Sequence, residues 1–576
     1  MVETAGDLGA ALPGKAESAT SAVWGKQKDA EDVDFHADGS ATRKPSGEPD
    51  NARAAYNNYP RLTIDASGRM WLAFRSVNPV SWGPVGSVWF EYLVSYDGQS
   101  WSAPVFLTHS DNLLDNRPAL APLGSGKLLV IGSSDARSQY QLAGKYVDGY
   151  PAAAMKDFLG ADSPAVKSGA FLPLYLNVSI PDDPYNNDLW ANEIQMGAGQ
   201  VSLSVSPLRQ TIRPTPTHDA ADDTAVAKLR GYRAPDTNLR IVRGEFHRHS
   251  EVSFDGGSDG STLDQYRYIL DAGNLDWVGC CDHDNGLGRE YTWWRAQKFT
   301  DIFNSPGVFA NMFNYERSVS YPEGHRNVLF AQRGIRTLPR LPITKADEPG
   351  HAPDTQMLYA YLKRFNGVVA SHTSATGMGT DWRDNDPDVE PIVEIFQGMR
   401  QSYELPEAPR SISEKDAIGG WRPKGFISNA LQMGFKLGFQ ASSDHISTHL
   451  SYCNIYVTDV TRQGVLDALR KRHVYGATDN ILADVRSGSH MMGDTFTTNT
   501  PPSIKVHLEG TTTFSKVTII KDNKYVYSTS PNEAKVDFEW RDNAPEPGKQ
   551  SYYYVRGEQT NGELVWASPM WITYTK

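Results

Sequence analysis

Between about residues 240 and 490 the chain alternates short apolar runs with amphipathic stretches, and this alternation restricts the fold more than any other feature. The runs are IVRGEFH (241–247), LDWVGCC (275–281), GVFANMFNYE (307–316), HRNVLFA (325–331), VVASH (368–372), IVEIFQG (392–398) and KLGFQASSD (436–444). Each has the length and composition of a buried strand. Between and after them lie helix patterns. STLDQYRYILDAG (261–273) has Ser261 as cap and Gly273 as stop, TQMLYAYLKRFNG (355–367) closes on Asn-Gly, and TRQGVLDALRKRH (461–473) follows the last run. Strand–helix repetition on this scale predicts an α/β domain, a parallel sheet or a barrel.

The ends of these runs carry the chemistry. His247 and His249 close the first, two positions apart, so on a strand both rings face one side. Asp282 and His283, with Asp284 next, close the second, Glu316 closes the third, and His325 opens the fourth. His372 closes the fifth, and Asp444 and His445 the seventh. In an α/β barrel the carboxyl ends of the strands form one rim, where sites are built. Imidazole with carboxylate is a ligand set for Zn, Mn or Fe, and several carboxylates permit bridging of two or three ions. Asp444 and His445 are adjacent, and adjacent strand residues point to opposite faces. Either the strand has ended by Asp444 or only one of the two is a ligand, with His449 a spare.

The flanks read as β structure. RLTIDASGRMWLAFRSV (61–77), VWFEYLVSYDGQSWSAPVFLT (88–108) and RPALAPLGSGKLLVIGSSD (117–135) are each two strands about a Gly- or Asp-containing turn. SYDGQSW (95–101) resembles the Asp-box of sialidase-type propeller blades, with one residue fewer between Gly and Trp, and reads as a turn-stabilising device. TIRPTPTHDAADDTA (211–225) reads as a linker. From about 500 the alternating runs and the turns KDNK and TNGE predict an antiparallel sandwich. The expected divisions are 1–50, a polar tail; 51–215, an all-β, propeller-like domain; 216–490, the barrel; and 491–576, the sandwich.

Composition removes several function classes. A net charge of −12 argues against nucleic acid as the main partner, because phosphate contacts need clustered Lys and Arg. No apolar run is long enough to span a membrane. The three cysteines, two of them adjacent, imply no disulfide framework and no paired-cysteine zinc site. The N-terminus has neither the positive start nor the apolar core of a signal peptide; a periplasmic or secreted location is expected, with the cytoplasm as the alternative.

Taken together, FHRHSEVSFDG, CCDHDNG, the Glu of the third strand, ASHTS and ASSDH resemble the ordered motifs of the PHP (polymerase and histidinol phosphatase) superfamily, in particular a large bacterial branch of uncharacterised members. The resemblance covers roughly residues 240–576 and extends to ALRKRHVYGATDNIL, HMMGD and the C-terminal YYYVRGEQTNGELVWASPMWI. It implies a distorted (βα)7 barrel holding two or three divalent ions (Mn, Zn or Fe). Their ligands would come from His247, His249, Asp282, His283, Glu316, His325, His372, Asp444 and His445. It implies hydrolysis, foremost of phosphoesters, by metal-bound hydroxide. Proton transfer would fall to Asp284 or Asp444, or to His445 or His449. Arg248, Arg289, Arg317 and Arg326 are candidates to hold an anionic substrate. YTWWRAQKF (291–299) lines a cleft or packs the core. The alternatives are hydrolysis or lyase cleavage of a glycan or other ester, and a non-catalytic module that binds glycan or cell surface. The expected partner is a small molecule or a glycan.

Overall fold

The computed structural model describes residues 2–5, 33–35, 41–43, 57–83, 86–107, 109–112, 117–123, 126–134, 141–179, 188–195, 220–253, 259–284, 290–343, 345, 348–398, 400–445 and 447–576. The chain is mainly β, with a fifteen-stranded sheet and several smaller ones.

The seven apolar runs become seven strands, adjacent in space in chain order: β1 (Arg240–Glu245), β2 (Trp277–Gly279), β3 (Ala310–Arg317), β4 (Arg326–Phe330), β5 (Val368–Ser371), β6 (Ile392–Gln397) and β7 (Gly438–Ser442). β1–β2–β3 and β5–β6–β7 are parallel, but β4 runs antiparallel to both neighbours. The strand–helix alternation expected from the sequence is therefore interrupted, and the distorted (βα)7 barrel is not clearly matched. β3 and β4 are consecutive antiparallel strands without a helix between them, and loops alone join β5 to β6. At the carboxyl ends the two edges of this seven-strand path meet through a parallel bridge between Arg248 and Asp444. The Asp444 N–H donates to the His247 carbonyl at 2.7 Å, and the His249 N–H to the Asp444 carbonyl at 3.3 Å.

Local chemistry explains the helices that do form. Ser261 accepts the Asp264 N–H at 3.1 Å and caps Thr262–Arg267, which widens into a five-residue turn through Ala272 before Gly273. Pro353–Phe365 ends at Asn366, whose φ of 55° is the left-handed stop that Asn tolerates. Arg462–Arg470 is capped by Thr461. Part of the segment expected to be a linker is helical: Ala220–Gly231 sends Leu229 into the C-terminal core, while residues 211–219 lie outside the described residues.

β8 (Tyr452–Val457) and β9 (Val474–Ala477) extend the sheet from β1, and β9 pairs with Leu564–Ala567. The C-terminal β structure is thus continuous with the central sheet, and a four-stranded sheet packs across it over Leu482, Val506, Val517 and Val555. Leu482–Ser487 pairs with Ser503–Glu509, across the boundary expected near residue 490. Before the central region, Asn57–Ile64, Met70–Gly83, Gly86–Tyr96 and Val105–Phe106 form one four-stranded antiparallel sheet. A second sheet joins Ala119–Leu123, Lys127–Ser134, Asp188–Gln195 and Val2–Ala5. Among the described residues these are two separate sheets, and the expected all-β character of this region is what they show. The Asp97 carboxylate in SYDGQSW accepts the N–H groups of Gln99 and Ser100 at 2.9 and 2.8 Å, which is the work of a turn. No helix among the described residues is long and apolar enough to cross a membrane.

Candidate metal centre

The strand directions bring the polar residues together. Parallel strands deliver His247, His249, His283 and His372 just beyond their carboxyl ends. Because β4 is antiparallel, its beginning lies beside the end of β3, with Arg326 opposite Arg317, and so His325 arrives at the same rim. Asn314 ties the ends of β1 and β2, donating to the carbonyls of Phe246 and Gly279 at 2.7 and 2.9 Å.

Glu316 lies at the middle, 1% exposed. Its Oε2 is 3.1 Å from His249 Nε2, 3.5 Å from His283 Nδ1 and 3.6 Å from His247 Nε2. Its Oε1 is 2.5 Å from His325 Nδ1 and 3.3 Å from His372 Nε2. Asp444 supplies the second carboxylate. Its Oδ1 is 2.9 Å from His249 Nε2, 3.1 Å from His247 Nε2 and 3.4 Å from His445 Nε2. The strand has ended at Ser442, and Asp444 adopts φ 68°, a left-handed conformation that Asp accepts more readily than most residues. The strand rule for adjacent side chains no longer applies there, and Asp444 and His445 both reach His249, whose ring stacks on His445 at 4.3 Å.

The outer ring nitrogens are held. His247 Nδ1 faces the Glu394 carboxylate at 3.0 and 3.2 Å, and His445 Nδ1 faces Asp259 at 2.6 Å. His249 Nδ1 meets Ser253 Oγ and His372 Nδ1 meets Thr373 Oγ1, both at 2.8 Å. Such partners fix the tautomer and aim Nε2 inward, as the outer shell of a metal site does. Gln397 donates to the outer oxygen of Asp444 at 2.6 Å, leaving Oδ1 for the histidines.

The donor set fits divalent cations. The side chains form overlapping groups, His247/His249/Cys281/Glu316, His247/His372/Glu394, His249/Asp444/His445 and His283/Glu316/His325, each with its ligand atoms within 4.8 Å of one another. Two nitrogen or oxygen ligands on one tetrahedral zinc stand about 3.3 Å apart, a spacing that follows from bonds of about 2.0–2.1 Å. Most of the separations above lie close to that value. Glu316 Oε2 and His372 Nε2 are buried and make no hydrogen bond among the described residues, the condition of ligand atoms aimed at a cation.

The electrostatics agree. Burial alone would raise the carboxyl of Glu316, but the imidazoles of His283 and His372 outweigh it and hold the group well below the usual carboxylate range. Asp444 is held down in the same way against burial by His445 and His247. Burial opposes charge on His247, yet Glu394 and Asp444 drive it well above the ordinary imidazole value. Burial, and then the neighbouring His247, push His372 down to about 3.

The remaining candidates lie around this cluster. Asp282 is turned to Ser250, accepting its N–H at 2.6 Å and its hydroxyl at 2.8 Å, and belongs to none of the ligand groups. Asp284 is buried against Arg340, with Arg317 at 3.8 Å. His449 is exposed, 3.3 Å from the Tyr452 hydroxyl, and also outside the ligand groups. Three of the arginines are committed to internal partners: Arg248 to Asp259 at 2.6 Å, Arg317 to Asp354 at 2.6 and 3.0 Å, and Arg326 to Glu390 at 3.3 Å. Arg289 lies outside the described residues. YTWWRAQKF enters the helix Glu290–Ile302, where Trp293 is buried and donates to the Ile335 carbonyl at 2.6 Å while Trp294 is exposed. Trp293 and Phe299, with Asp282 and His283, line a cavity of about 30 Å³, room for one or two water molecules.

Sequence reasoning missed Glu394, Cys281 and Asp259. Glu394 had a legible signal, an acid inside the otherwise apolar run IVEIFQG, where a charge is costly without a partner. Cys281 and Asp259 had none, since only the fold carries them to the cluster.

No family model matches the chain. It is 24% identical over 345 residues to an uncharacterised protein of Chlamydia pneumoniae, covering 53% of each. Uncharacterised proteins of Chlamydia muridarum and Chlamydia trachomatis align at 24% and 23% identity over 35% of this chain and 38% of theirs. The chain thus spans about half the length of the first of these relatives and less of the other two. A two-domain protein of Bacteroides vulgatus containing a predicted PHP-like metal-dependent phosphoesterase superposes at a TM-score of 0.29 and 11% identity, over 57% of this chain and 94% of that one.

Proposed function

We propose that the chain is a metal-dependent hydrolase with a distorted PHP-type barrel at its centre, two or three divalent ions at the rim, and phosphoesters as its first substrate class. The observation that carries this reading is Glu316, a buried carboxylate whose two oxygens face five imidazoles while Oε2 makes no hydrogen bond among the described residues. His247, His249, His283, His325, His372 and Asp444 complete the ligand set, with His445 beside it. When bound, divalent ions supply Lewis acidity and a water whose pKa is brought toward neutrality.

The chain's own groups do the rest. Glu394 and Asp259 orient His247 and His445, and Gln397 holds Asp444. His445 stands at the margin of the cluster, 9% exposed, with Asp259 behind its Nδ1, and is the group we assign to proton transfer. Arg248, Arg317 and Arg326 support the walls of the site through their buried carboxylate partners.

Elemental analysis of the full chain, paired with chromogenic phosphomonoester, phosphodiester and carboxylester substrates with and without chelator, tests the reading. Two or three ions per chain and chelator-sensitive phosphoester cleavage are expected, with one solvent oxygen entering the product. An unsaturated product would replace the hydrolase by a lyase. A protein that takes up no metal after reconstitution would overturn the proposal.

A further inference from the structure

The N-terminal β region reaches the metal centre through a buried ion pair. Arg75, on Met70–Gly83, places Nη2 2.6 Å from Glu251 Oε2, with the two side chains 0% and 1% exposed. Its guanidinium lies 4.4 Å from the Tyr59 ring centre and 4.3 Å from that of Trp89, so the N-terminal sheet fixes its direction. Glu91 lies opposite Arg75 in the strand register and is the nearer carboxylate by topology. Burial raises both carboxyls, Glu91 to about 8, and it is Glu251 that Arg75 meets at 2.6 Å.

Glu251 sits two residues after His249, in the turn that arranges the rim. Ser250 donates its N–H and hydroxyl to Asp282. Ser253 Oγ meets His249 Nδ1 at 2.8 Å and accepts the His283 N–H at 3.0 Å. The Glu251 N–H donates to the Gly260 carbonyl at 2.9 Å, and Arg295, from the helix after β2, faces the same carboxylate. A change at Glu251 therefore moves the serine that sets two histidines of the cluster.

We propose that Arg75 is a positioning residue for the metal centre: by pinning Glu251 it holds the 250–253 turn that aims His249 and His283, which makes the N-terminal β region a working part of the site rather than a separate binding module. The inference rests on the metal-centre reading. Groups hydrogen-bonded directly to a metal ligand typically change metal affinity by about 10–100-fold, and Arg75 acts further out, through Glu251 and Ser253, so the low end of that range is expected.

The test is a cobalt(II) titration of full-length, chelator-stripped protein, followed by visible absorption and compared among wild type, Arg75→Ala, Arg75→Gln and Arg75→Lys. The neutral variants are expected to fold, by circular dichroism, to bind at least one ion about 10-fold more weakly, and to show an altered d–d spectrum. Arg75→Lys is expected to recover part of both. Should Arg75→Ala not fold, Arg75→Gln, which fills more of the space, decides. A folded neutral variant with the wild-type affinity and spectrum would overturn the inference and leave the metal centre standing. Wild-type protein that binds no cobalt would overturn the metal-centre reading and the inference with it.

Discussion

Glu316 and Glu404 are both buried carboxylates at 1% exposure, yet they are surrounded in opposite ways. Glu404 is saturated by obligate donors. Arg556 reaches its two oxygens at 2.7 and 2.9 Å, the Tyr554 hydroxyl donates at 2.8 Å, and the Trp566 indole at 2.7 Å. Those donors come from the C-terminal strands, so this carboxylate joins the central sheet to the sandwich. Glu316 faces five imidazoles, which donate or accept according to their protonation, with the Cys281 thiol in the same group, and one of its oxygens makes no hydrogen bond among the described residues. A carboxylate buried for stability is closed by hydrogen bonds; one buried to hold a cation keeps its lone pairs aimed at other ligands.

The contrast can be broken by exchanging what each site loses. His247→Ala or Glu316→Gln is expected to abolish bound metal and to lower phosphoester turnover by more than the roughly 100-fold that an outer-shell change produces, with little change in circular dichroism. Full activity in either variant would remove the distinction. Glu404→Gln is expected to do the reverse. It leaves Arg556 buried without its counter-charge, costing about 3–5 kcal/mol in denaturant unfolding, while the folded protein keeps its metal content. Chelation sharpens the comparison. Removing ions that bind only the folded chain should lower stability by about 2.7 kcal/mol relative to ion at a hundred times its dissociation constant, measurable as a reversible fall in melting temperature. Glu394→Gln, which keeps the size of the partner behind His247 but not its charge, should weaken metal binding by about 10–100-fold in a competition titration. His449→Ala marks the low end, with stability within about 0.5 kcal/mol of wild type and unchanged metal content.

Much of the central fold was legible. The seven apolar runs became the seven strands because a strand buried on both faces must be nearly continuous in apolar residues, and that shows in one dimension. The helix cap at Ser261 and the stop at Asn366 were legible for the same reason, being set by residues within one turn. Strand direction was not. Nothing local in HRNVLFA says that it runs against its neighbours, and that reversal is what carries His325 to the rim. The helix at Ala220–Gly231 was hidden by the polar composition of its first turn, Asp222 and Asp223, which suits a helix start as well as a linker. SYDGQSW located a turn but not an architecture, because a turn device of this kind stabilises a hairpin in any β fold.

The arginines show the remaining limit. Beside the motifs, Arg248, Arg317 and Arg326 read as anion-binding groups, but each is buried against a carboxylate that lies 11, 37 and 64 residues away in sequence. The sequence by itself determined which residue types stand at the strand ends and that they are the donor types a divalent cation takes, because strand periodicity and imidazole–carboxylate chemistry are local properties. The tertiary structure alone decided which partner each charge meets: Glu394 behind His247, Asp259 behind His445, Arg75 on Glu251 and three donor side chains on Glu404. Pairing between distant segments depends on strand order and direction, and these follow from burying the whole apolar surface at once rather than from any one stretch of the chain.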